Sequence, residues 1–313
     1  MIGGISKQVT APQGRNDFEG CLAEAKPEIG NYAWLWRILK ARARQTGFPP
    51  RKLYPLLKRF CNPKRPYFIG ETLEGIAFLG DYLDRYSIDR MVCPHFDKGL
   101  VTFLVERLRT TEGAYLDVGA NMGIIAAAVA KALPATPVLA FEPMPETGHR
   151  AMATFALNEL ENVQFLPLAI GDTNTLLTFY DAPGHSDMAS ANPAEMSIPI
   201  DWTPTRVSCR TLDSLREQNL LPKVGLMKLD VEGHEYKALQ GSAQLIATDR
   251  PHILFEYNRE IAPQMNWSPE DAIELISSYS SYRFHVLEED GSLLPLSFSD
   301  KSFGFDNLYA EPC

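Results

Sequence analysis

Tyr115-Leu116-Asp117-Val118-Gly119-Ala120-Asn121-Met122-Gly123 reads as a buried strand running into a tight turn. Ile124-Ile125-Ala126-Ala127-Ala128-Val129-Ala130 then continues it as an Ala-rich helix. Glycine is needed where the backbone bends sharply or a ligand must approach without a Cβ between. A helix that starts there directs unpaired N–H groups at that ligand. The spacing excludes two common nucleotide turns. A dinucleotide fold needs G-x-G-x-x-G, and only Gly119-x-x-x-Gly123 is present. A phosphate loop needs Gly-Lys-Ser/Thr, and none follows. The expected ligand makes few phosphate contacts and brings hydroxyls and an amine.

Downstream of the turn, strands and helices alternate. Residues 137–142 form a second buried strand ending in Glu142, followed by a helix over 145–158 with Pro145 in its first turn. Residues 163–169 are a third strand running to Asp172. Residues 226–230 are a fourth, ending in Asp230, with a helix expected over 231–246. Residues 252–256 are a fifth. Short extended stretches at 176–180 and 207–210 flank a long Pro-rich connection over 182–205, and Thr211 caps a further helix. A helix over 269–278 and strands at 282–287 and 303–309 close the chain. Repeated strand–helix units imply an α/β fold with a mostly parallel sheet of seven strands and an antiparallel edge. Ligands in such a sheet bind at the carboxyl ends of the strands.

Asp117, Glu142, Asp172 and Asp230 each stand at such an end. One acid there merely caps the next helix; four on one rim suit a ligand with a cation and several hydroxyls. Glu142 follows the turn by about 20 residues, the position from which a carboxylate accepts from a ribose diol. S-adenosylmethionine, with its sulfonium, diol, adenine and ammonium, fits this inventory.

Five segments together resemble the FkbM-type S-adenosylmethionine-dependent methyltransferases. They are Asp117-Val118-Gly119-Ala120-Asn121-x-Gly123, Phe141-Glu142-Pro143-x-Pro145, Ala169-x-Gly171-Asp172, Thr211-Leu212-Asp213, and Lys228-Leu229-Asp230-Val231-Glu232-Gly233-x-Glu235. The resemblance spans about residues 113–257 and implies a Rossmann-like class I methyltransferase. It implies that Asp117, Gly119, Ala120, Asn121 and Gly123 form the cofactor turn, with Gly119, Ala120 and Gly123 at the methionine part. Glu142 would meet the ribose and Asp172 the adenine side. The activity it implies is O-methylation of hydroxyls on sugars and natural products.

A hydroxyl is a poor nucleophile, so a base or a metal is expected near the fourth strand's end. Asp230, Glu232 and His234 are the catalytic candidates, with Asp230 at the strand end the foremost. Asp230 and Glu232 could instead share a divalent cation, although two acids are an incomplete shell. His185 and Ser186 in the long connection are candidates for a lid. An Asn-Pro-Pro-Tyr amine-methylating motif is missing where Asp230-Val231-Glu232-Gly233 stands. The sole Pro-Cys pair, Pro312-Cys313, is terminal, which argues against cytosine-carbon methylation.

Residues 31–65 hold ten Lys/Arg and no Asp or Glu, with Tyr32, Trp34 and Trp36 interleaved. They read as basic helices, interrupted at Pro49-Pro50, that pack on the main domain or on a second copy of the chain. A docking face for an anionic partner is the alternative. His95 stands just before a helix over 98–109. The division expected is a mainly helical basic extension over 1–95 and a methyltransferase domain over 96–313. The formal charge of −9 argues against broad nucleic-acid binding. The basic window keeps an RNA methyltransferase as the enzymatic alternative, and a non-catalytic S-adenosylmethionine-binding module as the other. The five scattered cysteines, the lack of a signal peptide and the lack of a spanning run read as a cytoplasmic protein. Its expected partner is a small-molecule or carrier-bound hydroxyl, with no membrane partner.

Overall fold

The computed structural model describes residues 26–27, 37–39, 41–42, 52, 54–55, 67–72, 75–92, 97–181, 184–186, 202–259, 261–296 and 305–313. Most of the basic window 31–65, His95, and most of the 182–205 connection lie outside the described residues, as does any pairing of copies through the N-terminal helices.

In chain order the strands are β1 (Lys26–Pro27), β2 (Tyr67–Glu71), β3 (Ala77–Asp81), β4 (Ala114–Val118), β5 (Val138–Phe141), β6 (Val163–Leu166) and β7 (Ala169–Ile170). They continue with β8 (Thr175–Asp181), β9 (Thr203–Arg210), β10 (Val224–Leu229), β11 (His252–Asn258), β12 (Tyr282–Leu287), β13 (Leu293–Pro295) and β14 (Phe305–Pro312). The helices used below are α1 (Arg85–Val92), α2 (Lys98–Arg109), α3 (Ile124–Ala132), α4 (Pro145–Leu157), α5 (Leu212–Glu217), α6 (Glu235–Gln240), α7 (Ala243–Asp249) and α8 (Pro269–Tyr279).

The main sheet has the order β13-β12-β14-β11-β10-β4-β5-β6. From β6 to β11 the strands are parallel, and β14, β12 and β13 add the antiparallel edge. The α/β class expected from the sequence is the one observed. The sheet carries eight strands rather than seven, because β13 turns back on β12 as a short hairpin. Every residue of β4 and β10 is buried, as befits central parallel strands covered on both faces. Alternate side chains go to opposite layers. Leu116, Val118, Met227 and Leu229 pack with α5 to α8, while Tyr115, Leu226 and Leu254 pack with α2 to α4.

Two sequence expectations fail locally, each for a stated cause. The strand expected over 163–169 breaks at Pro167, which has no N–H to give a ladder. β6 stays in the main sheet, and β7 joins β9 and β8 in a separate three-stranded sheet. Asp172 therefore follows a strand of the small sheet, not of the main one. The helix expected over 231–246 is two helices, α6 and α7. At Gly241 between them, a Cβ would lie 2.0 Å from the Gly171 carbonyl oxygen. That close approach of two backbones fixes the break.

Described residues of the N-terminal part share a buried cluster with the turn after β4. Leu39, Tyr54, Phe68, Phe78, Ile88, Met91 and Val92 bury themselves together with Met122 of the β4 turn. Asn158 at the end of α4 binds the backbone of Ala77 in both directions, accepting from its N–H at 3.1 Å and donating to its carbonyl at 2.7 Å.

Candidate active site

The chain runs from β4 outward to β6 on one side and then to β10 and β11 on the other. The crevice between β4 and β10 is thus the switch point at which α/β sheets bind ligands. A cavity of about 1200 Å³ opens there. Gly119, Ala120, Asn121, Glu142, Asp172, Asp230, Glu232 and His234 all line it; Asp117 and Gly123 do not.

The turn works differently from a free helix start. The N–H groups of Gly119 and Ala120 both donate to Phe141 O, at 3.0 and 2.9 Å, and that of Gly123 donates to Ala120 O. Asn121 N–H donates to Glu142 Oε2 at 3.0 Å, and Met122 N–H to Asn121 Oδ1 at 2.7 Å. Every N–H from 119 to 123 is thereby taken, and the turn presents shape rather than donors. Gly119 (φ +82°) is required by its neighbour, because a Cβ there would lie 1.7 Å from Asp230 O. Asp230 N–H in turn donates to Val118 O at 3.0 Å, so the ends of β4 and β10 meet backbone to backbone. Gly123 (φ +73°) makes room for the Phe155 ring of α4, which a Cβ would approach to 2.7 Å. Its role is packing beneath the site.

Glu142 accepts from Met144 N–H at 2.9 Å through Oε1 and from Asn121 N–H through Oε2. Burial pushes its carboxyl up to about 7, against the two N–H bonds that favour the charge. Asp172 is exposed and lines the cavity, as do Leu177, Phe179 and Cys209 of the small sheet.

Asp117 is a core residue, not a ligand-facing one. Its side chain is fully buried against Lys228 Nζ, 3.4 Å from Oδ1, and the same ammonium lies 3.0 Å from Asp230 Oδ2. Burial disfavours charge on all three groups. The two carboxylates nonetheless hold Lys228 well above its usual range, and Lys228 with a hydrogen bond from Glu256 holds Asp230 below its own. Asp117, the most enclosed, is raised by burial.

Glu256, near the end of β11, is the site acid that sequence reasoning passed over. It lines the cavity and bonds to Asp230. Burial, then the negative charge of Asp230, raises its carboxyl well above the ordinary range, so it keeps its proton and donates to Asp230. The strand-end rule that picked out Asp230 could have found it. Glu232 (φ +53°) and His234, at the start of α6, stand on the next turn and face the same cavity. Glu235 underpins that turn, accepting from Val231 N–H at 2.8 Å and Gly233 N–H at 3.3 Å. Tyr86 and Arg90 of α1 close the opposite wall, with Arg90 paired to Asp97 and bonded to the Tyr86 hydroxyl. No group of three or more His, Cys, Asp or Glu side chains that could hold a metal ion occurs among the described residues. The divalent cation suggested by Asp230 and Glu232 finds no ligand set there.

A ligand crevice at the switch point of a mostly parallel sheet, rimmed by acids and without a phosphate loop, defines a Rossmann-like cofactor-binding enzyme domain. The sequence pattern of the methyltransferase FkbM domain matches residues 117–285, just over half of the chain. This chain belongs to the FkbM methyltransferase family. It is 29% identical over 141 residues to "Methyltransferase 1" of Beauveria bassiana; the match takes in 40% of this chain and 57% of that protein, so the chain spans little more than half of the relative's length. Among solved structures, FkbM methyltransferase from Methylobacillus flagellatus KT aligns at 16% identity and a TM-score of 0.41, over 64% of this chain and 43% of that one. A SAM-dependent methyltransferase from Agrobacterium tumefaciens aligns at 11% identity and a TM-score of 0.41, over 79% and 71%. No helix among the described residues is long and apolar enough to cross a membrane.

Proposed function

We propose that this methyltransferase moves a methyl group from S-adenosylmethionine to a hydroxyl of a sugar or natural-product molecule, free or carrier-bound. The observation that carries this reading is the mixed lining of the cavity. The Glu142 carboxylate has two lone pairs already spent on the turn and two left for a diol. Leu168, Ile170 and Phe179 supply apolar surface for a purine. Asp230, Glu256, Tyr86 and the amides of Asn258 and Asn307 are groups suited to a polyhydroxylated acceptor.

When bound, the donor supplies an electrophilic methyl on a sulfonium. Transfer is an in-line displacement in which the acceptor oxygen forms the new C–O bond and the C–S bond breaks, leaving a thioether. The protein's task is chiefly to hold the two ends aligned. Asp230 takes the hydroxyl proton as the oxygen attacks. Lys228 fixes its carboxylate from below, and Glu256 holds it from the side with a donated proton. Glu232 and His234 flank the acceptor.

The test is methyl uptake from labelled S-adenosylmethionine by a panel of glycosides, carrier-bound hydroxyls and RNA, with products read by mass spectrometry. A mass gain of one methyl on an alcohol oxygen is expected. Transfer to RNA alone, or no turnover to S-adenosylhomocysteine with any acceptor, would overturn the assignment.

A further inference from the structure

The family match begins at residue 117, yet a buried aspartate well before it is tied to the donor turn. Asp84 immediately precedes α1, and its Oδ2 accepts from Ser87 N–H at 3.0 Å in the manner of a helix cap. A cap needs one bond. Asp84 makes four more, reaching two other parts of the chain. Oδ2 also accepts from the Ser87 hydroxyl (2.6 Å), from Arg150 Nη1 of α4 (2.9 Å) and from the Ser186 hydroxyl (3.0 Å). Oδ1 accepts from Ser186 N–H (2.9 Å). The pair with Arg150 is buried on both sides, with side chains 4% and 5% exposed. Gly184 O, two residues before Ser186, accepts from Arg85 N–H at 2.9 Å.

Ser186 passes this anchoring on to the turn. Its carbonyl accepts from Asn121 Nδ2 at 3.1 Å, and Asn121 is the left-handed residue (φ +50°) whose N–H holds Glu142. On the other flank, Ser87 Oγ and Arg150 Nη1 lie 3.2 and 3.5 Å from the sulfur of Met122. Two adjacent residues of the donor turn are thus braced from one carboxylate. Ser186 lines the cavity and is hydrogen-bonded on both sides, to Asp84 and to Asn121.

Resting on the donor assignment above, we propose that Asp84 is a positioning residue for the donor. Through Ser186 it orients Asn121, and through Asn121 the Glu142 carboxylate, so the start of α1 helps to shape the donor-binding turn. The charge of Asp84 matters, because a carboxylate satisfies five donors in a site where an amide would turn its own N–H groups toward Arg150 or Ser186.

The experiment measures S-adenosylmethionine affinity by calorimetry and turnover at saturating donor for full-length native protein, Asp84→Asn, Ser186→Ala and the double variant. For D84N, donor Kd should rise at least tenfold, with kcat at saturation within about threefold of native. For S186A, which removes the part-buried hydroxyl bond to Asp84 and keeps the backbone one, Kd should rise about threefold with an unchanged thermal midpoint. The double variant should be no weaker than D84N, since both act through one link. Native Kd in folded D84N, native Kd in S186A should D84N fail to fold, or full additivity of the two changes would each overturn the inference. No binding by the native protein would overturn the donor assignment itself, and the inference with it.

Discussion

Truncating Glu142 to alanine tests the donor half of the site. An ionised carboxylate offers about four lone-pair directions. Asn121 and Met144 take one on each oxygen, at 3.0 and 2.9 Å, which leaves two for vicinal hydroxyls. A hydrogen bond to a charged group contributes about 1.5–3 kcal/mol. Water refills part of the space after truncation, so the expected loss is that of one such bond, roughly 10- to 150-fold in Kd. Calorimetric titration with S-adenosylmethionine at about pH 8 reads this directly. The same titration should show a pH dependence in the native protein. Burial holds the Glu142 carboxyl up at about 7. Donated hydroxyls favour its ionised form, so affinity should weaken as pH falls through that value, by about tenfold near pH 6. Glu142→Ala should lose this dependence. Unchanged affinity of the variant near pH 8, or native affinity flat from about pH 8 to 6, refutes the role given to Glu142.

Three further outcomes are expected. Asp230→Asn should lower transfer by about 10²- to 10⁴-fold, the range for a lost general base, with donor Kd little changed; near-native turnover would remove Asp230 from the chemistry. Gly119→Ala places a Cβ 1.7 Å from Asp230 O at a φ of +82°, so urea unfolding should show a loss of about 3 kcal/mol or more. A native denaturation midpoint in G119A would mean that the β4–β10 contact is looser than described. Glu235 is buried with its carboxyl raised by burial to about 7 from 4.5. Its stabilising effect is therefore full below about pH 4.5 and disappears as pH rises through about 7. The thermal midpoint of the native protein should fall between about pH 5 and 8, and Glu235→Gln should fall less over the same window; parallel curves would show that Glu235 does not titrate there.

Much of the cavity's rim was legible in the chain. Strand-end position alone singled out Glu142 and Asp230, because a parallel strand delivers its last residue to the ligand rim whatever packs around it. The same rule misplaced Asp117. It is the fourth of the five residues of β4, one short of the strand's end, and its side chain turns down to Lys228 rather than up to the cavity. The rule also fits Glu256, the last residue of the strand expected over 252–256, although that strand runs two residues further, to Asn258. Gly119 and Gly123 take the left-handed backbone that a sharp bend needs, at φ +82° and +73°. Sequence marks a backbone that needs room, but whether a ligand, a carbonyl or a phenyl ring claims that room is a tertiary fact. The contribution of Asp84 was beyond reach. It meets Ser186 across 102 residues of chain, and no local pattern links a helix cap to a loop serine.

The saturated turn has a consequence for competition. ADP and ATP carry the same adenine and ribose as the proposed donor, and Glu142 would greet their sugars equally well. Their phosphates would then arrive where the sulfonium is expected. In a phosphate-binding fold that spot offers a fan of backbone donors, but here all five N–H groups from 119 to 123 are already committed. A polyphosphate would gain nothing from those five N–H groups and would meet the Asp230 carboxylate. The committed turn and the Asp230 carboxylate would together favour the proposed donor over common nucleotides.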